Sequence, residues 1–439
     1  QNELLEGTFE GIGLDFFNLN DTLLVVGLVS NGPAEKAGLK VGDRIIRIDT
    51  THVSGRNIGQ KVVDRLMRGK KGTIVNLHVN RDSAAINQLF KVKRDQINVS
   101  SIDASYMIEP QIGYVKVRRF GLKTAEEFRI AISELKKQGA NNLILDLRDN
   151  GGGYFHVALK VASEFFADKK MLVYTQGAHE PKREYFSDGK GSFSQGKLVV
   201  LVNESSASAS EIVAGALQDW DRATVVGRRS YGKGIVQEQF DFLDGSRVNL
   251  SISRYYTPLG RSIQRKYTAN WSNMVDYVSM YRGLWALDTT YTNSEIYKTL
   301  AGRELFSGGG INPDVNIQID SNSLSLLYQE IQRSSYIEQF VYERFTKVLP
   351  AYSLENFLQG YRMPQQEYDS FIAYLKQKGL AISDRKKRDL LKLIQSDIEA
   401  ILGKYYFGRE AYFKVKNRYD EYLDTAIKIL QPSDQRSAS

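Results

Sequence analysis

The stretch Gly227-Arg-Arg-Ser-Tyr-Gly-Lys-Gly234, GRRSYGKG, nearly spells a nucleotide-binding loop. A phosphate cradle runs G-x-x-x-x-G-K-[ST], fed by a strand and left by a helix whose free N–H groups meet the anion. Here the last position is Gly234, so no hydroxyl follows Lys233 to hold magnesium. Ala223-Thr-Val-Val226 reads as the feeding strand. The segment that follows, Ile235-Val-Gln-Glu-Gln-Phe-Asp-Phe242, is rich in β-branched and aromatic residues and alternates roughly in polarity, which predicts another strand and no helix. The loop therefore joins two strands, and nucleotide is set aside as a partner. Taken alone, Lys233 reads as a solvated turn lysine.

The whole chain of 439 residues is long enough for two or three domains. Its 42% hydrophobic and 25% charged content is that of a globular protein, and no apolar run approaches the roughly 20 residues that span a bilayer. There is no cysteine, which excludes disulfides and thiolate metal sites and fits a periplasmic or surface setting. The chain starts at Gln1, so an upstream signal or anchor segment is expected to have been removed. The net charge of +8 is spread along the chain, and the run Arg385-Lys-Lys-Arg388 reads as a solvated helix face, with no nucleic-acid partner expected.

Three regions separate by pattern, giving a multidomain chain of α+β and α/β character. Residues 1–97 show short alternating apolar runs broken by glycine-rich turns. Residues 98–318 alternate strand-like and helix-like segments, as in a mixed sheet layered with helices. From 319 to 439 glycine is scarce and apolar residues recur at helical spacing, as in Tyr336-Ile-Glu-Gln-Phe-Val-Tyr-Glu-Arg-Phe345. The polar tail from Gln431 to Ser439 is expected to fray.

In the first region Gly11-Ile-Gly-Leu14 precedes the apolar stretch Thr22-Leu-Leu-Val-Val-Gly-Leu-Val29. A short helix opening on Pro33 and closing on Gly38 comes next, and then Val41-Gly-Asp-Arg-Ile-Ile-Arg-Ile-Asp49, a turn into a buried strand. The set resembles a PDZ domain of the kind attached to proteases. The resemblance implies that Gly11, Ile12, Gly13 and Leu14 hold a peptide's terminal carboxylate on their N–H groups, while the next strand accepts the peptide as an added strand.

In the second region Lys197-Leu-Val-Val-Leu-Val-Asn203 reads as a buried strand. It runs through Glu204-Ser-Ser-Ala-Ser-Ala-Ser-Glu211 into a segment whose Ile212, Val213, Ala216, Leu217 and Trp220 share one helical face. A small-residue turn between strand and helix can expose a nucleophile beside free helix-end N–H groups. It is also an ordinary serine N-cap. Together with SYGKGIVQ, however, SASASEIVAGALQD resembles the carboxy-terminal processing, or tail-specific, proteases, which use a Ser-Lys dyad. That family's nucleophile is the first serine of S-A-S-E, with the lysine of [TS]-[FY]-G-K-G twenty-five positions later. Ser208 and Lys233 have that separation, and Gln237 stands where the family has a glutamine. Ser230 replaces the usual threonine but keeps the hydroxyl.

The resemblance covers about residues 5–318. Leu143-Ile-Leu-Asp-Leu-Arg-Asp-Asn-Gly-Gly-Gly153 resembles the strand and glycine turn that complete the oxyanion hole, and two further signatures lie at Arg254–Gln264 and Gly309–Val315. It implies a core with crotonase-like layering and no cofactor or metal. Ser208 would attack, Lys233 would act as a neutral base once burial lowers its pKa, and Gln237 would orient it. Ala209 and a glycine, Gly152 or Gly153, would meet the oxyanion. A histidine triad lacks its G-x-S-x-G, and zinc hydrolysis lacks H-E-x-x-H. An inactive PDZ adaptor would lack one of Ser208, Lys233 or Gln237, and all three are present. The expectation is a serine endopeptidase acting on flexible protein C-termini in the periplasm or cell envelope. Anchoring through a removed segment and a homo-oligomer are left open, and the helical region is expected to assemble or position the enzyme.

Overall fold

The apolar runs of the middle segment assemble into one six-stranded sheet. Its order is Val315–Asn316, Thr224–Gly227, Leu198–Val202, Asn142–Asp146, Ile112–Val117 and Ile102–Glu109. The first five strands are mutually parallel, and Ile102–Glu109 closes the far edge antiparallel. Every residue of Leu198–Val202 and of Ile112–Val117 is buried, as strands covered on both faces must be. Among the covering helices are Thr124–Lys137, Phe155–Ser163 and Ala209–Asp219. The computed structural model describes residues 6–81, 87–265, 295–318, 325–345 and 352–431. The polar tail beyond Gln431 lies outside them.

Strand direction fixes where chemistry can occur. Asn142–Asp146 leads through the glycine turn into Phe155–Ser163, and its neighbour Leu198–Val202 leads through the serine turn into Ala209–Asp219. Because the two strands are adjacent and parallel, both turns emerge side by side at the carboxyl edge of the sheet. A second, antiparallel sheet has the order Arg183–Phe186, Met171–Gln176, Arg247–Tyr256 and Ile235–Asp241. GRRSYGKG thus joins the strands Thr224–Gly227 and Ile235–Asp241, with no helix after it. Beyond the second sheet Arg261 is fully buried against Asp219 at 2.5 Å and Gln218 at 3.0 Å, which fastens the end of the serine helix.

The amino-terminal segment forms a five-stranded antiparallel sheet, Leu14–Leu19, Thr22–Leu28, Arg44–Ile48, Ile74–Asn80 and Asn87–Lys93, with helix Gln60–Met67. Leu23 and Val25 pack into its own core, together with Ile45, Val63 and Leu77. Leu24 and Val26, which point the other way along the same strand, lie in a different cluster with Leu19, Phe340, Phe371, Leu375 and Ile398. The helical segment thus shares a core with the second face of this sheet. The described residues of 8–99 and 325–420 make one compact unit, and those of 100–318 and 421–431 make another. The final helix, Glu421–Leu430, belongs with the central sheet, where Arg148 and Arg228 lie over the Tyr422 ring at 4.7 and 5.5 Å. No described helix is long and apolar enough to cross a membrane.

Candidate active site

Ser208 stands at the head of helix Ala209–Asp219 with φ +55° and ψ −113°. A side-chain-bearing residue in this region is strained by about 1–3 kcal/mol and needs its surroundings to hold it. Its neighbours are fastened elsewhere. Ser206 and Ser210 are buried, and their hydroxyls donate to the carbonyls of Leu147 and Asn150, each at 2.8 Å. Ser205 is exposed and Ser208 half-buried, so among these serines Ser208 alone combines access with a fixed backbone. The Ala209 N–H, first in the helix, meets no acceptor among the described residues, as expected of a helix end.

The glycine turn lies directly on this serine. A Cβ on Gly152 would sit 2.9 Å from the Ser208 Cβ and 2.9 Å from the Ala207 carbonyl, at φ +102°, so only glycine fits. On Gly153 it would meet the Phe120 carbonyl at 2.2 Å. The Gly152 N–H donates to Asn150 Oδ1 at 2.9 Å, whereas the Gly153 N–H has no described acceptor.

The lysine loop is joined to the serine turn through one buried carboxylate. Glu211 is 1% exposed, and its Oε2 accepts from the backbone N–H of Ser208 at 2.8 Å and of Lys233 at 2.9 Å. Its Oε1 accepts from the Ser230 hydroxyl at 2.5 Å and the Gly232 N–H at 2.7 Å. Ser230 in turn accepts from the Ile311 N–H at 2.6 Å, which explains why a hydroxyl is needed at that position. Burial pushes the Glu211 carboxyl above its usual range, against the pull of these four donors. Lys233 itself is half-buried, and its ammonium makes no hydrogen bond or ion pair with a described residue.

The loop of Gly11 to Leu14 joins strand Thr8–Gly11 to the edge strand Leu14–Leu19. Its carbonyls are occupied, with Ile12 accepting from Ala34 and Gly13 from Val29, each at 2.9 Å. The N–H groups of Ile12 and Gly13 have no described acceptor.

Comparison with known proteins matches both of these segments to known domains. Residues 111–270 match the model of peptidase family S41, residues 11–93 that of the PDZ domain, and residues 327–408 that of a family of unknown function. The chain carries an S41 peptidase domain and a PDZ domain. It is 36% identical over 265 residues to the carboxy-terminal processing protease CtpA of Bacillus subtilis, covering 60% of this chain and 56% of that protein. It is 35% identical over 264 residues to the carboxyl-terminal-processing protease of a Picosynechococcus species, covering 59% and 63%. A solved photosystem II D1 C-terminal processing protease is 28% identical, covering 71% of this chain and 73% of that one, with a TM-score of 0.37. The chain spans a little over half the length of the curated relatives it matches.

Two residues of the S41 domain's site were not singled out from the sequence. Glu211 closes the quoted S-A-S-E but carries no signal that its carboxylate would reach a loop twenty-two positions away. Tyr255, in strand Arg247–Tyr256, is buried, and its hydroxyl donates to the Lys233 carbonyl. Burial, followed by the nearby charge of Glu211, raises its hydroxyl well above the usual range, so it stays protonated. Gln237 lies exposed on strand Ile235–Asp241, opposite Ser251, and its side chain bonds no described residue.

The role of Glu211 can be measured. Glu211→Gln keeps the shape but turns an NH2 toward two of the four donors. Each mismatched pair costs about 1–3 kcal/mol, and a nucleophile displaced by about 1 Å loses about 10²-fold in rate. The expected result is a kcat/KM lower by about 10- to 100-fold with an unchanged affinity for C-terminal peptides. Wild-type kcat/KM in the variant would show that the serine turn holds its geometry without this carboxylate.

Proposed function

We propose that this protein is a serine endopeptidase that captures flexible C-terminal tails at Gly11 to Leu14 and hydrolyses them with Ser208 and Lys233. The observation that carries the reading is the shared carboxylate of Glu211, which holds the backbones of Ser208 and Lys233 on one oxygen beside the glycine turn. In the reaction the neutral Lys233 amine takes the Ser208 proton as Oγ attacks the peptide carbonyl. The tetrahedral oxyanion is met by the free N–H groups of Ala209 and Gly153, since that of Gly152 is engaged by Asn150. The lysine then returns the proton to the leaving amine, and water hydrolyses the acyl-enzyme by the same route in reverse. Gln237 orients the amine when substrate occupies the site. The substrates are exported proteins of the periplasm or cell envelope.

The test pairs a peptide bearing a free terminal carboxylate with its amidated twin. Capture on the Ile12 and Gly13 N–H groups predicts that amidation weakens binding by about tenfold or more, because hydrogen bonds to a charged group are worth about 1.5–3 kcal/mol. Equal turnover of the two peptides would remove the PDZ loop from tail recognition.

A further inference from the structure

The groove that begins at the carboxylate loop has two walls, and one of them comes from the helical segment of unknown function. Its floor is the free edge of strand Leu14–Leu19, which pairs with Thr22–Leu28 on one side only. One wall is helix Gln60–Met67 with the following residue, presenting Gln60, Asp64, Met67 and Arg68. The other wall is Ser335, Glu338 and Tyr342 from helix Tyr336–Arg344 and the residue before it, with Lys404 from helix Asp384–Phe407. Together they enclose about 500 Å³.

The edge strand divides its side chains between these walls. Leu14 and Phe16 pack toward the core of the PDZ sheet. Phe17 and Leu19 pack into the helical cluster, with the Phe17 ring edge-on to Tyr342 at 5.1 Å. Asp15 points the same way, 4.0 Å from Lys404. A peptide added to this edge must alternate in the same manner. If its last side chain enters the PDZ core side, the penultimate and fourth-from-last side chains face the helical wall.

We infer that the helical segment reads the tail's alternate side chains and favours a basic one opposite Glu338. This rests on the tail-capture reading above. Glu338 is half-buried, and its carboxylate has no hydrogen-bonded or ion-paired side chain among the described residues. Burial raises its carboxyl above the usual range, Asp397 adds to the rise, and Lys404 opposes it. On this side of the groove the carboxylates of Glu338 and, from the floor strand, Asp15 stand against the ammonium of Lys404, while Asp64 and Arg68 offset each other on the opposite wall. A lysine or arginine side chain laid along the groove would supply the missing cation, and a tail acid would meet repulsion.

The experiment uses the full chain with Ser208→Ala, so that peptides are bound and not cut. Fluorescent tails ending in a free carboxylate carry Lys, Ala or Glu at the penultimate and fourth-from-last positions, and an amidated tail serves as reference. The Lys tail is expected to bind about five- to tenfold tighter than the Glu tail. Glu338→Gln should flatten that ratio and Glu338→Lys invert it, with the Ala tail changing by less than about twofold. Circular dichroism confirms that each variant is folded. A Lys-to-Glu ratio unmoved by both variants, with free acid still preferred over amide, overturns the inference and leaves tail capture standing. Loss of the acid–amide difference in the parent protein overturns both.

Discussion

Ser208→Ala is expected to lower kcat/KM on an unfolded reporter by about 10⁴-fold or more, the scale on which removal of a covalent nucleophile acts. The neighbouring serines make contrasting forecasts because their hydroxyls have other partners. Ser205 is exposed, and its replacement should leave activity within about twofold. Ser206→Ala and Ser210→Ala each remove a buried donor from the carbonyls of Leu147 and Asn150. Each should cost about 1 kcal/mol of stability, seen as a lower Tm, while the folded enzyme keeps its nucleophile. Since the Ala207 N–H also donates to the Asn150 carbonyl at 3.0 Å, the turn remains tied to the glycine loop in each variant. Full activity in Ser208→Ala would exclude the serine mechanism at this position.

Lys233→Arg should fail as badly as Lys233→Ala, each losing about 10²–10⁴-fold in kcat/KM, the usual range for a general base. Arginine keeps the positive charge and the backbone N–H that holds Glu211, so the fold and tail binding should survive. It cannot give up a proton in the accessible pH range, and the attack on a carbonyl needs a neutral acceptor. A lysine that bound phosphate or merely faced solvent makes the opposite forecast, because arginine would substitute for it. Measuring kcat/KM for the three proteins between about pH 6 and 10, with nucleotide binding as a control, separates these cases. Near-normal activity in Lys233→Arg would remove the lysine from the mechanism.

The local elements and the two motif-bearing turns are legible along the chain. All-apolar Leu198–Val202 had to be a covered strand, the small residues after it had to turn, and the period of Ile212 to Trp220 had to be a helix. Gly234 in place of a hydroxyl, followed by alternating residues, was enough to make GRRSYGKG a connection between strands. These readings are local, and side-chain chemistry and periodicity settle them.

Which distant groups meet depends on how the strands pair and the helices pack. Pairing of the strands Asn142–Asp146 and Leu198–Val202 sets Gly152 on Ser208, and folding of the hairpin brings the Tyr255 hydroxyl to the Lys233 carbonyl. The four donors of Glu211 are three backbone N–H groups and one hydroxyl from two separate stretches of chain, and no pattern along the chain shows that they converge. The grouping of domains is the sharpest case. Thr22-Leu-Leu-Val-Val carries apolar residues on both faces of its strand, a sign that both are covered. The sequence could not say what covers the second face. Helical period reports that a face is buried without naming its partner, so only the packed chain shows Leu24 and Val26 lying among Phe340, Phe371 and Ile398.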